Sequence, residues 1–434
     1  MSATSERAIW DPVETIARED LRALQRERLR ATVARAIDGQ PPIAARLAEA
    51  GVGGPEEIAS LDDLARLPFS VKADLHEHYP FGLLAVPREE VVRLHASSGS
   101  HGKPTVVGYT RADLDAWAEL MARCMTMAGV RPGMVVHNAN GYGLFTGGLG
   151  FHHGAERIGA TVVPASGGFT ARQAMLLKDL GGQALAATPS YALVIAQAVR
   201  DAGLDPGQLD LEVGLFGGEP STQGLRAQIE RELGLSAVEF YGLSEMCGPG
   251  VAAECLAARS GMHVQEDHFV VEVVDPESGR PVAEGEEGEL VFTTLQKEAQ
   301  PMIRYRTGDI GSITTEACEC GRTMARIRAL RGRRDDMLIV RGVNLFPSNV
   351  EHLLLRVEDV APHYQLILER SGHMDELTVQ CEPVNASVDR EKLGGRLEQL
   401  LREHTGIRIA VAVVEPGTVP RSEGKAVRVV DRRA

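Results

Sequence analysis

Four short stretches combine charge and glycine in ways suited to phosphate or carboxylate chemistry. HASSGSHGKPT, residues 95–105, follows a strand-like run at 91–94 and sets Ser97, Ser98, Gly99, Ser100, His101 and Gly102 ahead of Lys103. Small residues let backbone N–H groups turn inward around an anion, and the lysine adds charge. The spacing is not that of a Walker A loop, because Ser97 stands six before Lys103 and Pro104 follows it. Such stretches also serve as plain linkers, so this loop alone leaves phosphate binding open. FYGLSEMCGPG, residues 240–250, follows a strand and holds one acid, Glu245. A carboxylate there suits Mg²⁺ beside phosphates, or it is a solvent-facing loop residue. IRYRTGDIG, residues 303–311, puts Asp309 after Gly308, where it serves two ribose hydroxyls or caps a turn. PRSEGKAVRV carries Lys425 in a loop near the chain end, a position where a lone lysine reads first as surface charge.

Cysteines supply a further pattern. Cys255, His263, Cys318 and Cys320 offer the four N/S ligands a tetrahedral zinc site takes. The two halves are far apart in sequence, so the alternative of unrelated buried cysteines stands beside it. Cys247 is a spare candidate, while Cys124 and Cys381 read as core.

The chain that must position these groups has 434 residues and a net charge of −14, from 46 basic and 60 acidic side chains. That length suits two or three domains at ~150 residues each. The acidic balance argues against a nucleic-acid surface. No run of ~18 uncharged apolar residues predicts a membrane span, and residues 1–20 lack a signal-peptide core. Six cysteines in such a chain suit a reducing cytoplasm.

Residues 11–50 predict helix. From 91 to 245 strands alternate with helices: strands at 135–136, 161–163, 183–187, 213–216 and 238–241, helices at 112–127, 170–180, 191–202 and 222–233. That alternation predicts an α/β domain with wound parallel sheets and ligands at the strands' carboxyl ends. Alternating Val and Glu around the turn at 275–279 predicts a β-rich, antiparallel subdomain over about 263–330. A small α+β unit follows: strand 337–340, helix 348–355, strands 364–368 and 377–381, helix 390–404 and strand 409–414. The domain boundary is expected at 332/333.

In this order SSGSHGKP, the FGGE at 216–219, YGLSE, YRTGD, GRRDDMLIVRG and a late GK resemble the core motifs of the adenylate-forming acyl-CoA synthetase superfamily. Within it the chain is most similar to the phenylacetate-CoA ligase family, through WDPVETIAREDLRALQRERL, GYGLFTGGLGFHHGAERIGAT, EDHF at 266–269 and RGVNLFPSNVE. The resemblance runs over essentially the whole chain. It implies a large N-terminal domain and a small mobile C-terminal one, activation of an aryl acid by ATP to an acyl-adenylate, then transfer to coenzyme A.

Carried over residue by residue, residues 97–103 would form a mobile phosphate loop, and Gly218, Glu219, Tyr241 and Gly242 would border the adenine. Ser244 would bond phosphate and Glu245 would hold Mg²⁺. Asp309 and Arg333 would hold ribose, and Lys425 would reach the carboxylate and α-phosphate. Asp335 would be the hinge between half-reactions, and Gly342 would line the coenzyme A channel. Some relatives resemble the chain at 318–321, which implies a structural Zn²⁺ on Cys255, His263, Cys318 and Cys320. Tyr142, Gly143, Phe145 and Gly148, with Gly141, would build a slot for a flat ring, or simply pack at a strand end. The family also suggests a homodimer, and a carrier protein or amine remains an alternative acceptor. Two departures stand out: His101 replaces a usual threonine, and Val264-Gln265 replaces a tryptophan before EDH.

Overall fold

Five apolar strands lie side by side in the order Thr161–Val163, Val135–Asn138, Ala184–Ala187, Val213–Gly217, Ser236–Leu243, and all four pairings are parallel. The computed structural model that shows them describes residues 8–97, 104–340, 343–371, 374–422 and 424–433. Helices Gly147–Ile158, Thr170–Asp179, Pro189–Asp201 and Gln223–Leu233 join these strands as crossovers. Ala184–Ala187 is buried throughout, as expected where helices cover both faces of a parallel sheet.

The β-rich stretch does not form a sheet of its own. Ser236–Leu243 turns back at residues 244–247 and pairs antiparallel with Gly248–Glu254. From that strand Met262–Val264, Arg326–Arg333, Tyr305–Thr314, Gly288–Thr294 and Phe269–Val274 continue outward in one eleven-stranded mixed sheet. The tight turn leaves an edge of the parallel sheet to be extended, so the later strands add to it. The expected ligand face and the antiparallel strands bearing Asp309 therefore share a surface.

The helical N-terminus is broken where the sequence analysis expects one run. A 3-10 turn Pro12–Thr15 precedes helices Arg18–Gly39 and Pro41–Glu49. Gln40, with φ −121° and ψ 80°, leaves the helical region, as the residue before a proline tends to. This arm is tied to the sheet by hydrogen bonds and ion pairs. Gln25 Nε2 donates to Glu266 O at 2.8 Å, Arg28 pairs with Asp267 at 3.3 Å, and Arg322 Nε meets the fully buried Glu14 carboxylate at 2.5 Å. Arg123 reaches Asp267 Oδ1 at 2.7 Å and Gln265 Oε1 at 3.0 Å. Gln265, one of the two residues expected to replace a tryptophan, thus completes a buried polar cluster.

Strand Arg93–Ser97 starts later than the run at 91–94 suggests and pairs antiparallel with Thr105–Tyr109, a strand the sequence analysis missed. Ser97 stands opposite Thr105 and their hydroxyls hydrogen bond. The C-terminal unit has strands Val360–Ser371 and Met374–Pro383 at the centre of a four-stranded sheet, flanked by Ala410–Val413 and Val429–Asp431. Helices Pro347–Leu354 and Arg390–Thr405 cover it, and Leu366, Val379, Leu397, Leu401 and Ile409 form its fully buried core. Among the described residues no helix is long and apolar enough to cross a membrane.

Candidate active site

The turn that reverses the sheet carries the first acid. Glu245 is buried, and its Oε1 accepts a hydrogen bond from Tyr305 OH at 3.2 Å. Gly242 allows the turn to close, since a Cβ there would sit 1.9 Å from Gly248 O. Ser244 offers its carbonyl to Tyr109 OH at 3.1 Å. On the neighbouring face Tyr241 OH donates to Asp309 Oδ2 at 2.6 Å, and the Tyr241 ring stacks on Phe292 at 5.8 Å. Burial pushes the Asp309 carboxyl up. The Tyr241 hydroxyl, then the charges of Arg333 and Lys425, pull it back down. Asp309 and Arg333 are cross-strand partners, so the two expected ribose residues are held side by side.

Lys425 comes from the other unit and docks against this surface. Thr188 Oγ1 donates to Gly424 O at 3.0 Å, and Ala426 N donates to Glu219 Oε2 at 3.1 Å. Glu219 Oε1 also accepts from Ser190 N, at 2.5 Å, at the start of helix Pro189–Asp201. Gly218, at φ +86°, takes the left-handed backbone that favours glycine and borders the lysine stem, since a Cβ there would lie 3.6 Å from Lys425 Cε, in ordinary contact. A second contact between the units joins Thr222 Oγ1 to Glu351 Oε1 at 3.0 Å. Glu351 also pairs with Arg428 at 3.3 Å, and that guanidinium lies 4.3 Å over the Tyr364 ring. The structure therefore brings Gly218, Glu219, Tyr241, Gly242, Ser244, Glu245, Asp309, Arg333 and Lys425 to one face.

Other expected residues lie elsewhere or beyond description. Ser98, Gly99, Ser100, His101, Gly102, Lys103 and Gly342 fall outside the described residues. Asp335 lies in the 3-10 turn Arg334–Asp336, and its side chain is likewise outside them. The expected ring slot is held at its base. Tyr142 OH accepts from Asn138 Nδ2 at 2.8 Å and shares a 3.1 Å hydrogen bond with His152 Nδ1. Burial pushes the Tyr142 phenol up to about 12. Gly148 packs so closely that a Cβ would meet Gly141 O at 2.5 Å, whereas Gly141 and Gly143 border open space. Phe145 is 59% exposed. Its ring belongs to none of the buried clusters.

Cys255, His263, Cys318 and Cys320 are all buried, with one ligand atom of each within 4.8 Å of the others. Cys255 Sγ and Cys318 Sγ are 3.7 Å apart, and Cys320 Sγ lies 3.4 Å from His263 Nε2. A tetrahedral zinc would space two sulfurs about 3.8 Å apart, and sulfur from nitrogen about 3.5 Å. The His263 Nδ1 edge faces Met324 O at 3.3 Å, which suits an Nδ1–H donor and leaves Nε2 as the ligand. The donor set and its spacing fit zinc. Cys247 sits apart from the four.

Sequence reasoning missed Tyr109, Tyr305 and Lys297. Lys297 donates to Glu245 O at 3.1 Å and Met246 O at 2.8 Å from the segment LQKEAQ, which carries no recognisable motif. Tyr305 lies inside YRTGD, so a closer reading of that motif would have found it.

Comparison with known proteins agrees with this geometry. Residues 84–296 match the AMP-binding enzyme family, and residues 342–433 match the AMP-binding enzyme C-terminal domain. The phenylacetate-coenzyme A ligase of Thermus thermophilus is 49% identical over 439 residues, 97% of this chain and 98% of its own. The crystal structure of 2-hydroxyisobutyryl-CoA ligase in the postadenylation state, in complex with R3-HIB-AMP, matches with TM-score 0.93 at 31% identity, over 100% of this chain and 94% of that one. The same ligase with 2-HIB-AMP and CoA in the thioesterification state matches at TM-score 0.73 and 32% identity, again over 100% and 94%. Identity and coverage barely change, so the difference lies in how the parts are arranged, and the docked Lys425 loop accompanies the higher likeness. The solved ligase holds an acid–AMP conjugate in the postadenylation state and 2-HIB-AMP with CoA in the thioesterification state. The chain belongs to the phenylacetate-CoA ligase family and is an AMP-forming acid–CoA ligase.

Proposed function

We propose that the acid is an aryl acid with phenylacetate as the first candidate, and that the docked Lys425 loop performs the adenylation step. The observation that carries this reading is the convergence of Lys425 with Gly218, Glu219 and Asp309 across the two units. A carboxylate is a poor electrophile, so its oxygen attacks the α-phosphorus of ATP and pyrophosphate leaves. Charge neutralisation and positioning dominate that step, and a lysine plus backbone donors serve it without a covalent nucleophile. Lys425 balances charge between the carboxylate and the α-phosphate. Asp309 and Arg333 hold the ribose, Tyr241 lies beside the base, and Ser244 faces phosphate. Glu245 would hold Mg²⁺, which would supply further neutralisation on the phosphates, and its Tyr305 contact engages one carboxylate oxygen, Oε1. In the second step the thiol sulfur of coenzyme A attacks the acyl carbon and AMP departs.

The substrate assignment rests on the name of the 49%-identical relative and on the glycine-bordered opening at Tyr142 and Phe145. The four-ligand cluster is read as a structural zinc that ties the turn at 318–321 to strand Met262–Val264. Pyrophosphate release with phenylacetate, benzoates, anthranilate and aliphatic acids, with and without coenzyme A, tests the assignment. Release that yields thioester with phenylacetate supports it. Adenylate without thioester at any coenzyme A concentration would point instead to a carrier protein or amine acceptor.

A further inference from the structure

Lys297 is a buried cation that the proposed chemistry does not use. It is 7% exposed, and its Nζ hydrogen bonds go to the carbonyls of Glu245 and Met246. The ammonium also sits 4.6 Å from the Tyr109 ring centroid, a cation–π distance. Taking a lysine out of water is costly unless its donors are met, and burial pushes Lys297 down to about 8, offset in part by Asp113, Cys247 and Glu245. Two carbonyls and an aromatic face compensate it.

The turn is gripped at three consecutive residues. Tyr109 OH takes the Ser244 carbonyl at 3.1 Å, and Lys297 takes the next two. Trp117 Nε1 holds Pro249 O at 2.8 Å just beyond the turn, and its ring stacks on Tyr109 at 5.6 Å. The segment bearing Lys297 is anchored in turn: the Asp113 carboxylate accepts from Glu298 N at 2.6 Å and Ala299 N at 3.0 Å. With its own carbonyl held by Lys297 and that of Ser244 held by Tyr109, Glu245 meets Tyr305 OH with its carboxylate. Among the described residues, that hydroxyl is the donor given to its carboxylate.

We propose that Lys297 is a positioning residue that fixes the Glu245 turn, so that the Glu245 carboxylate meets Mg²⁺·ATP in a set place. The inference rests on reading Glu245 as the Mg²⁺ ligand. It assigns to a backbone clamp what that reading leaves unexplained, namely how one acid on a turn keeps a fixed position. The clamp couples the strand that follows the expected phosphate loop, through Tyr109, to the segment leading into YRTGD, through Lys297.

The test is calorimetric binding of ATP to the full-length protein, with Mg²⁺ and with EDTA, for wild type, Lys297→Met, Glu245→Gln and the double variant. Misplacing a catalytic contact by 1 Å costs up to ~100-fold, so Lys297→Met should weaken Mg²⁺·ATP binding at least ~10-fold while ATP in EDTA binds as in wild type. Adding Lys297→Met to Glu245→Gln should then change nothing further. Equal weakening with and without Mg²⁺, or no weakening, overturns the proposal. If Glu245→Gln itself leaves Mg²⁺·ATP binding intact, the reading of Glu245 fails and the proposal falls with it. Should Lys297→Met fail to fold, Tyr109→Phe removes one carbonyl clamp alone, and it must show the same Mg²⁺-selective loss for the proposal to stand.

Discussion

Replacing Lys425 by alanine should separate the two half-reactions, and the structure sets the scale of the effect. The loop is held on the large domain by Thr188 Oγ1 to Gly424 O at 3.0 Å and by Ala426 N to Glu219 at 3.1 Å. Neither contact involves the lysine side chain, whose stem only passes Gly218. Lys425→Ala therefore keeps the loop docked and removes one charge-assisted contact from the transition state, a loss of ~10²–10³ in rate. Glu219→Gln gives the contrasting case. It leaves the lysine but turns a charged acceptor for Ala426 N into a neutral one, at a cost of ~1 kcal/mol. That shifts the docked population by about fivefold and slows adenylation by no more than that. Single-turnover pyrophosphate release reads the first step, and conversion of supplied acyl-adenylate by coenzyme A reads the second. Lys425→Ala should fall ~10²-fold or more in the first and stay near wild type in the second. A loss no larger than that of Glu219→Gln, or an equal loss in both steps, would refute the catalytic role.

Protein purified without chelators should contain about one zinc per chain, bound by the four converging ligands; Cys318→Ser should lower Tm far more than it lowers ATP affinity, and metal analysis finding none contradicts the reading. Burial pushes the His268 imidazole down to about 4 from an ordinary 6.5. A histidine depressed in the folded state contributes stability above its unfolded pKa, and that contribution drains away as pH falls from about 6.5 to about 4, by up to ~3 kcal/mol. Denaturant titrations across that window should show a shallower pH slope in His268→Gln, and identical slopes would remove His268 from the account. The slot at Tyr142 should prefer planar aryl acids, so octanoate outperforming every aryl acid in pyrophosphate release would sink the pocket assignment.

Most of the strand–helix alternation from 135 to 243 was legible from the period of each element; helix Gly147–Ile158, glycine-rich and without a side-chain N-cap, was not legible. Thr188 and Thr222 cap helices Pro189–Asp201 and Gln223–Leu233 with their side chains. The motif residues were legible because glycine, acid and lysine recur in a fixed order. Pairings between distant segments were not. Nothing in the alternation of Val and Glu after residue 263 says whether those strands found a new sheet or extend an old one, since strand period reports faces and not neighbours. The clamp of Lys297 on Glu245 spans 52 residues and shows no local signature. Cys255 and Cys318, 63 residues apart, could be joined on paper only because sulfur and imidazole have few other uses together.

The arm that opens the chain has a bearing on synthesis. Glu14 closes onto Arg322, 308 residues later, and Gln25 onto Glu266, 241 residues later. A growing chain emerges from its N-terminus, so helix Arg18–Gly39 can pack early on helix Pro41–Glu49 and the 3-10 turns Pro55–Glu57 and Leu61–Arg66, while its polar ties to Glu266, Asp267 and Thr323 wait for much later segments. Contacts of such long separation also slow refolding from denaturant. A shortened chain that lacks the arm would leave Arg322 without Glu14 and Asp267 with Arg123 but without Arg28, so the first forty residues close the large domain and are not an appendage to it.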